Sequence, residues 1–303
     1  MEQHSLPGAR FVDPKVLARI GNLELLAKTV VDGFINGLHR SPYLGLSLDF
    51  AEHRAYMPGD DIRRVDWRLY ARTDRYFVKE FEADTNSNFV VLLDGSRSMS
   101  YVGSGIPKFD YARYLAACLA YFVREQRDRV GLAVFDDDVT EYVPPSAKHR
   151  DILLHTLERL KPGTGRGTLA KPLMRIADRM RRRGLTVLIS DLYEDPDEVL
   201  EAVKPLRARG HDLIVFHLLD PTELEFPFDE ATNFEEMETG ERLPVIPDVL
   251  RDKYRVMMQE HTETLARKFT ENRVDYALLN TGMPLDHALF KFLSARERLN
   301  RVR

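Results

Sequence analysis

The sequence predicts an α/β protein with a doubly wound, mostly parallel sheet and a small N-terminal helical appendage. Continuous apolar runs rich in β-branched residues, typical of strands buried on both faces, occupy residues 89–93, 129–135 and 185–190. These runs alternate with segments whose apolar residues recur at helical spacing, which indicates parallel strands joined by helices. Apolar residues make up 44% and charged residues 30% of the 303 residues, the composition of an ordinary globular protein.

Residues 1–85 are predicted to form the appendage, and residues 86–303 the α/β domain. A helix is expected from Pro14 to about Arg40, because apolar residues recur there at every third or fourth position. Its polar face carries mixed charges, so its apolar stripe is expected to dock on the body of the same protein rather than on a membrane. Turn-forming residues and interleaved opposite charges between residues 41 and 85 predict a structural clasp with local ion pairs.

The patterns on either side of residue 85 predict the other elements in chain order. Strands are expected at residues 75–81, at 139–143 with Pro144 and Pro145 as its end, at 211–218 and at 274–279. Helices are expected at residues 109–124, 150–160, 169–183, 197–209, 248–270 and 285–298. Gly184 is expected to stop the third of these helices, and the acidic stretch 223–241 to form a hairpin.

The formal net charge of −4 argues against a nucleic-acid-binding protein, because such proteins normally carry a strong basic excess. Cys118 is the only cysteine, so neither an internal disulfide nor a cysteine-based zinc site can form. The N-terminal residues lack the apolar core of a signal peptide, and no apolar run is long enough to span a bilayer. We therefore expect a cytoplasmic protein that does not insert into a membrane.

Polar side chains follow directly after the first buried strand. Asp94 ends that strand, Gly95 permits a sharp turn, and the hydroxyl side chains Ser96 and Ser98 come next. A carboxylate and two hydroxyls are hard oxygen donors that suit a small divalent cation. In the plainer interpretation, Asp94 caps the following helix and the serines only close the turn.

Two further oxygen donors lie downstream. Thr168 ends the glycine-rich loop 161–168, and Asp191 follows the buried run 185–190. In a doubly wound sheet, such strand ends converge on one crevice where the strand order reverses. Two carboxylates and three hydroxyls suit Mg²⁺ or Mn²⁺, and a cation would also offset the repulsion between the two carboxylates.

The order Asp94-x-Ser96-x-Ser98, then Thr168, then Asp191 resembles the metal-ion-dependent adhesion site of von Willebrand factor A domains. The upstream block Gly-Asp-Asp-Ile-Arg-Arg-Val-Asp-Trp-Arg at 59–68, with Val-Lys-Glu-Phe at 78–81, is similar to the bacterial family called domain of unknown function 58. Together these likenesses cover about residues 43–218. Members of that family are often encoded beside MoxR-type AAA+ ATPases.

The resemblance implies that Ser96, Ser98 and Thr168 coordinate the cation by their hydroxyls, and that Asp94 and Asp191 act directly or through waters. Thr164 lies close by in the same loop and is the alternative ligand. In such domains the last coordination position is often taken by a carboxylate of a binding partner. The resemblance therefore implies a non-enzymatic module that recognises a protein, such as a MoxR-type AAA+ ATPase and its target. The N-terminal membrane segments and the β-rich domain usual in the family are missing or reduced in this sequence, so a membrane role does not carry over.

Two other functions fit parts of this pattern. A scaffold whose metal site stays empty is the second non-enzymatic hypothesis. An enzyme is the third, because a buried strand that ends in an aspartate is also found in metal-dependent phosphohydrolases of the haloacid dehalogenase type, where that aspartate is the nucleophile. Those enzymes use a second aspartate two positions later as the general acid, and here that position is Ser96. The pattern therefore disfavours the enzyme.

Overall fold

A six-stranded sheet forms the centre of the part of the chain that the structure describes. A computed structural model describes residues 21–39, 53–55, 67–79, 87–103, 105–125, 128–165, 167–229, 232–235, 242–245 and 247–301. Its strands are β1 His53–Ala55, β2 Phe77–Lys79, β3 Asn88–Asp94, β4 Arg129–Phe135, β5 Val139–Ser146, β6 Gly184–Ser190, β7 Asp212–Leu219, β8 Thr232–Glu235, β9 Arg242–Val245 and β10 Asp275–Asn280. Its helices are α1 Leu23–His39, α2 Trp67–Thr73, α3 Lys108–Glu125, α4 Arg150–Arg159, α5 Ala170–Arg179, α6 Pro196–Ala208, α7 Pro221–Glu225, α8 Pro247–Glu271 and α9 Leu285–Arg301.

The central sheet has the strand order β10-β7-β6-β3-β4-β5. All neighbouring strands are parallel except β5, which runs antiparallel to β4. The chain builds outward from β3 to β4 and β5 on one side, then returns to place β6, β7 and β10 on the other side. The strand order therefore reverses between β3 and β6, and ligands in open α/β sheets bind at such a point. The predicted fold class is confirmed.

Both faces of β3 are buried, so its side chains feed two separate cores. Val91 and Leu93 point into a core formed with α1, α3, α4 and α9, whereas Val90 and Leu92 point into a core formed with α5, α6 and α8. This is why the run 89–93 is continuously apolar in the sequence instead of alternating. The two cores hold β3 rigidly from both sides, and with it the residues at its carboxyl end.

A chain of aromatic rings ties both terminal helices to β3. Phe34 of α1 packs edge-to-face on Phe122 of α3, with ring centroids 6.1 Å apart. Phe292 of α9 packs in the same way on Phe122 at 6.2 Å and on Phe89 of β3 at 5.7 Å. The apolar stripe of α1 thus docks on the body of the protein, as predicted. The predicted part of this helix before residue 21 lies outside the described residues.

The predicted end of β5 at Pro144 and Pro145 is wrong. The strand continues through both prolines to Ser146. It lies at the edge of the sheet and pairs with β4 alone, so the missing N–H groups remove no bond to a second neighbour. A register shift between Val130 and Leu132 of β4 lies opposite the prolines, and Gly131 leaves the room that Pro145 needs.

The predicted role of Gly184 is also wrong. Helix α5 ends at Arg179, four residues earlier than expected, and Gly184 is the first residue of β6. A Cβ atom at Gly184 would lie 2.1 Å from the carbonyl oxygen of Asn88 in β3. The glycine therefore permits the close approach of the two strands that carry the predicted site, and does not cap a helix.

Two small sheets of two strands each accompany the central sheet. Strand β1 pairs with β2, and β8 pairs with β9, both antiparallel. The pairing of β8 with β9 confirms that a hairpin forms in this region, but it spans residues 232–245 instead of 223–241, because residues 221–225 form helix α7. Most of the predicted clasp lies outside the described residues. Among the residues that are described, no helix is long and apolar enough to cross a membrane.

Replacing Phe292 with alanine should strongly destabilise the protein. The side chain is fully buried and contacts the aromatic rings of two other elements, so its loss leaves a large cavity. We expect the free energy of unfolding to fall by about 3–5 kcal/mol in urea denaturation. Met174→Ala, at a side chain that is 51% exposed, should change it by less than about 0.5 kcal/mol. Equal effects of the two substitutions would contradict the role of the aromatic chain.

Candidate metal centre

The carboxylate of Asp94 is fixed in the gap between β3 and β6. It is buried, and each of its oxygens accepts a hydrogen bond. The backbone N–H of Ser96 donates to Oδ1 at 2.8 Å, and the hydroxyl of Ser190, the last residue of β6, donates to Oδ2 at 2.6 Å. The first bond makes the sharp turn after β3, and the second joins the two strands where their order reverses.

The hydroxyls of Ser96 and Ser98 lie side by side. Their oxygens are 3.0 Å apart, and the buried side chain of Met99 anchors the single 3-10 turn Arg97–Ser100 that presents Ser98. Mg²⁺ holds oxygen ligands at about 2.0–2.1 Å and at right angles, which places neighbouring ligand oxygens about 2.9 Å apart. The spacing of this hydroxyl pair therefore fits two adjacent positions around such an ion.

The glycine-rich loop closes over the turn through its backbone. The N–H of Gly163 donates to the carbonyl oxygen of Gly95 at 2.6 Å, and the carbonyl oxygen of Gly165 accepts from Arg97 N–H at 3.2 Å. Gly167 has a φ of +70°, and a Cβ there would lie 2.3 Å from the Cβ of Ser96. Only glycine allows both this backbone conformation and this contact.

Both candidate threonines lie in this loop. Thr168 follows Gly167, whose backbone contacts Ser96. Thr164 lies between Gly163 and Gly165, which abut Asp136 and Asp137 at the end of β4. Both threonine side chains are exposed. Because Gly163 and Gly165 also bond to the residues on either side of Ser96, the backbone brings both threonines to this turn, and Thr168 as the ligand stays a prediction.

Asp191 lies directly after β6 and is buried, but its Oδ2 atom is already paired. The ammonium group of Lys108 lies 2.8 Å from this oxygen and 2.7 Å from Oε1 of Glu223. The side chain of Lys108 is completely buried. Sequence reasoning missed Lys108 and Glu223, and it assigned Glu223 to the acidic hairpin, whereas the residue lies in α7. The one local signal was a lysine at the start of a helix, where positive charge is unfavourable.

Burial and neighbouring charges shift the pKa values of Asp94 and Lys108. Burial, and then the charge of Asp191, raises the pKa of Asp94 to about 7. Burial alone would lower the pKa of the Lys108 amine, but Asp191 and Glu223 together raise it above its ordinary value. Two carboxylates, those of Asp191 and Glu223, thus share one ammonium group, and Asp94 adds a third carboxyl group nearby. The site keeps an excess of negative charge that a divalent cation would offset.

The donor set determines which cation fits. No group of three or more histidine, cysteine or acidic side chains is arranged to hold a metal within the described ranges. A cation at the end of β3 would therefore depend on hydroxyl oxygens as well as on carboxylates. Hard oxygen donors favour Mg²⁺ or Mn²⁺ over softer metals such as zinc. The residues present therefore fit the cation that the sequence predicts.

Comparison with known families identifies one match. The model of the family described as "Protein of unknown function DUF58" matches residues 52–264. Two relatives cover nearly the whole chain: "Uncharacterized protein Mb1516" of Mycobacterium bovis and "Uncharacterized protein Rv1480" of Mycobacterium tuberculosis. Each is 28% identical over 291 residues, which are 94% of this chain and 91% of the relative.

Solved structures with partial similarity include BatB from Bacteroides thetaiotaomicron and the SpRpn10 VWA domain. BatB is 15% identical, with a TM-score of 0.48, over 69% of this chain and 98% of BatB. The SpRpn10 VWA domain is 13% identical, with a TM-score of 0.39, over 66% of this chain and 92% of that domain.

Gly167→Ala should weaken cation binding by at least about tenfold. An alanine at a φ of +70° is strained, and its Cβ would push the loop that carries Thr168 away from Ser96. The increase in melting temperature on adding Mg²⁺ measures this. The matched control is Gly33→Ala on α1, where a Cβ meets nothing within 4 Å and should leave the Mg²⁺ response unchanged. A normal Mg²⁺ response in Gly167→Ala would show that the loop takes no part.

Asp94→Asn should change how stability depends on pH. Between about pH 4 and 7 the folded protein holds a proton on Asp94 that the unfolded chain has released, because burial raises the pKa of this carboxyl to about 7. Stability contributed by this group therefore falls as pH rises through that window. In metal-free buffer, wild type should lose about 2–3 kcal/mol relative to Asp94→Asn between pH 5 and 8, measured by urea unfolding.

Asp138→Asn is the control for this titration. The Val139 N–H and the neighbouring Lys171 and Arg175 side chains lower the pKa of Asp138 to about 2. Its contribution is therefore constant between pH 5 and 8. If wild type and Asp94→Asn keep a constant difference over the same range, Asp94 is ionised throughout and the assigned shift is wrong.

Proposed function

The chain belongs to the family described as "Protein of unknown function DUF58", and we propose that it is a non-enzymatic protein-interaction module with a divalent-cation site. The observation that carries this proposal is the cluster at the carboxyl ends of β3 and β6. There a buried carboxylate, a pair of hydroxyls 3.0 Å apart and a second buried carboxylate lie where the strand order reverses. These are the ligand types, and this is the place in the sheet, at which an α/β fold binds a small cation.

In this proposal Ser96, Ser98 and Thr168 hold Mg²⁺ or Mn²⁺ by their hydroxyls. Asp94 and Asp191 act directly or through waters. The cation supplies a positive charge with an open coordination position. An acidic side chain of another protein completes the coordination, so binding of that protein depends on the metal. The protein residues position the cation and exclude water from one side of it.

The partner we propose is a MoxR-type AAA+ ATPase together with the target that it remodels. The family resemblance supports this assignment. An ATPase works where ATP and Mg²⁺ are abundant, so the proposal includes a cytoplasmic location for this chain. A surface carboxylate on the ATPase or on its target is the chemical feature that the cation would recognise.

A scaffold with an empty site is the second candidate, and one observation favours it. Lys108 already neutralises part of the charge of Asp191, so the cluster has a positive group without any metal. A phosphohydrolase is not proposed. Both oxygens of Asp94 accept hydrogen bonds, and position 96, where those enzymes carry an acid, is a serine whose N–H binds Asp94.

Calorimetric titration with Mg²⁺ and with Mn²⁺ tests the proposal. Wild type should bind one ion per chain, and Asp94→Ala should lose this binding by at least about tenfold, because a central carboxylate ligand is gone. Asp178→Ala, which removes only a surface partner of Arg209, should bind as wild type does. Circular dichroism checks that all three proteins are folded.

The second half of the test concerns the partner. The ATPase should be captured by wild type in Mg²⁺, and neither by wild type in EDTA nor by Asp94→Ala. Capture that is equal in Mg²⁺ and EDTA, together with no heat of cation binding in wild type, would overturn the metal-dependent module and favour the scaffold.

A further inference from the structure

Lys108 is a buried lysine whose charge has no access to water. Its side chain is completely buried, and its ammonium group contacts the carboxylates of Asp191 at 2.8 Å and Glu223 at 2.7 Å. The aromatic rings of Tyr193 and Tyr101 lie on other sides, with centroids at 4.9 and 5.8 Å. An ammonium group is buried in this way only if it is paired, so these two carboxylates are required partners. We call this set of three charged residues the lysine bridge.

The position of Lys108 in the fold is electrostatically unfavourable. It is the first residue of α3, and the positive end of the helix dipole lies at that end. A buried ion pair seldom stabilises a protein more than apolar residues of the same volume would. Stability alone therefore does not explain why a lysine lies here. What distinguishes the lysine bridge is that Asp191 is also a candidate ligand of the cation.

The lysine bridge changes what Asp191 offers to a cation. Oδ2 is held by Lys108, so Asp191 has one free oxygen for the metal or for a bridging water. The ammonium group also adds a positive charge beside Asp191, one of the proposed ligands. Both effects oppose the cation, because like charges repel strongly in a buried site of low dielectric constant.

We propose that Lys108 sets the cation affinity, and keeps the affinity of the free protein low by competing with the cation for Asp191. This inference rests on the proposed function. Lys108 neutralises part of the negative charge of Asp191. A carboxylate from a partner makes up for this lost negative charge, so the cation binds tightly only when the partner is present. Because such coupling is reciprocal, the partner also binds tightly only when the cation is present.

Glu223 acts in the opposite direction to Lys108. Its Oε1 accepts from the lysine, and its Oε2 accepts from the backbone N–H of Asp220 at 2.7 Å, as part of the cap of α7. The carboxylate of Glu223 is therefore fixed, and its negative charge offsets part of the positive charge that Lys108 presents to Asp191. Without this charge, Lys108 would hold Asp191 more strongly and oppose the cation more.

The test is the Mg²⁺ affinity of the full chain and two variants, measured by calorimetry. Lys108→Met, which keeps most of the length of the side chain and removes its charge, should bind Mg²⁺ at least about tenfold tighter than wild type. Glu223→Gln should bind several-fold more weakly. Lys291→Met is the matched control, because its half-buried amine binds a backbone carbonyl oxygen on β10 and does not belong to the lysine bridge. It should bind as wild type does.

The opposite signs of the two effects separate this role from a structural one. If Lys108 merely positioned Asp191, Lys108→Met would bind Mg²⁺ equally or more weakly, and that result would overturn the inference. If Lys108→Met does not fold without metal, Glu223→Gln decides alone, and tighter binding by this variant refutes the inference. If neither wild type nor any variant binds Mg²⁺ or Mn²⁺, the proposed function itself fails. Weak binding by wild type that is unchanged in both variants overturns only the role of Lys108.

Discussion

The hydrogen bond between the hydroxyl of Ser190 and the carboxylate of Asp94 joins two strands that are nearly a hundred residues apart in the chain. It forms where β3, the first strand of the central sheet, meets β6, the first strand laid down after the chain has crossed to the other side. A buried carboxylate needs such donors, because an ion without them is too costly to remove from water. The position of the candidate metal centre therefore depends on the strand order, and only secondarily on the loops that cover it.

Two glycines near this bond allow the close backbone contacts that hold the candidate site together. Gly184 lets β6 approach β3, and Gly167 lets the loop rest on Ser96. Neither position tolerates a side chain, so the site is assembled by close backbone contacts between segments distant in sequence. The candidate hydroxyls then lie on the turn after β3 and on the loop that contacts it, and the carboxylates lie at the ends of β3 and β6.

Much of this arrangement follows from local sequence patterns, and the exceptions have physical causes. Buried parallel strands are continuously apolar, so β3, β4 and β6 could be recognised together with the polar residues at their ends. The prolines of β5 gave a misleading signal, because their effect depends on which neighbours the strand has. Lys108 and Glu223 are 115 positions apart. No spacing rule links residues so distant, and their pairing is set only when α3 and α7 meet at the carboxyl end of the sheet.

The aromatic chain from Phe34 through Phe122 and Phe292 to Phe89 has a consequence for synthesis on the ribosome. Phe292 belongs to α9, the last described helix, yet it covers the first strand of the sheet. A nascent chain that ends before α9 leaves Phe89 and Phe122 without this cover. Such a chain exposes apolar surface that other molecules can bind. Completion of the core around Phe89 and Phe122 therefore has to wait until α9 has emerged from the ribosome.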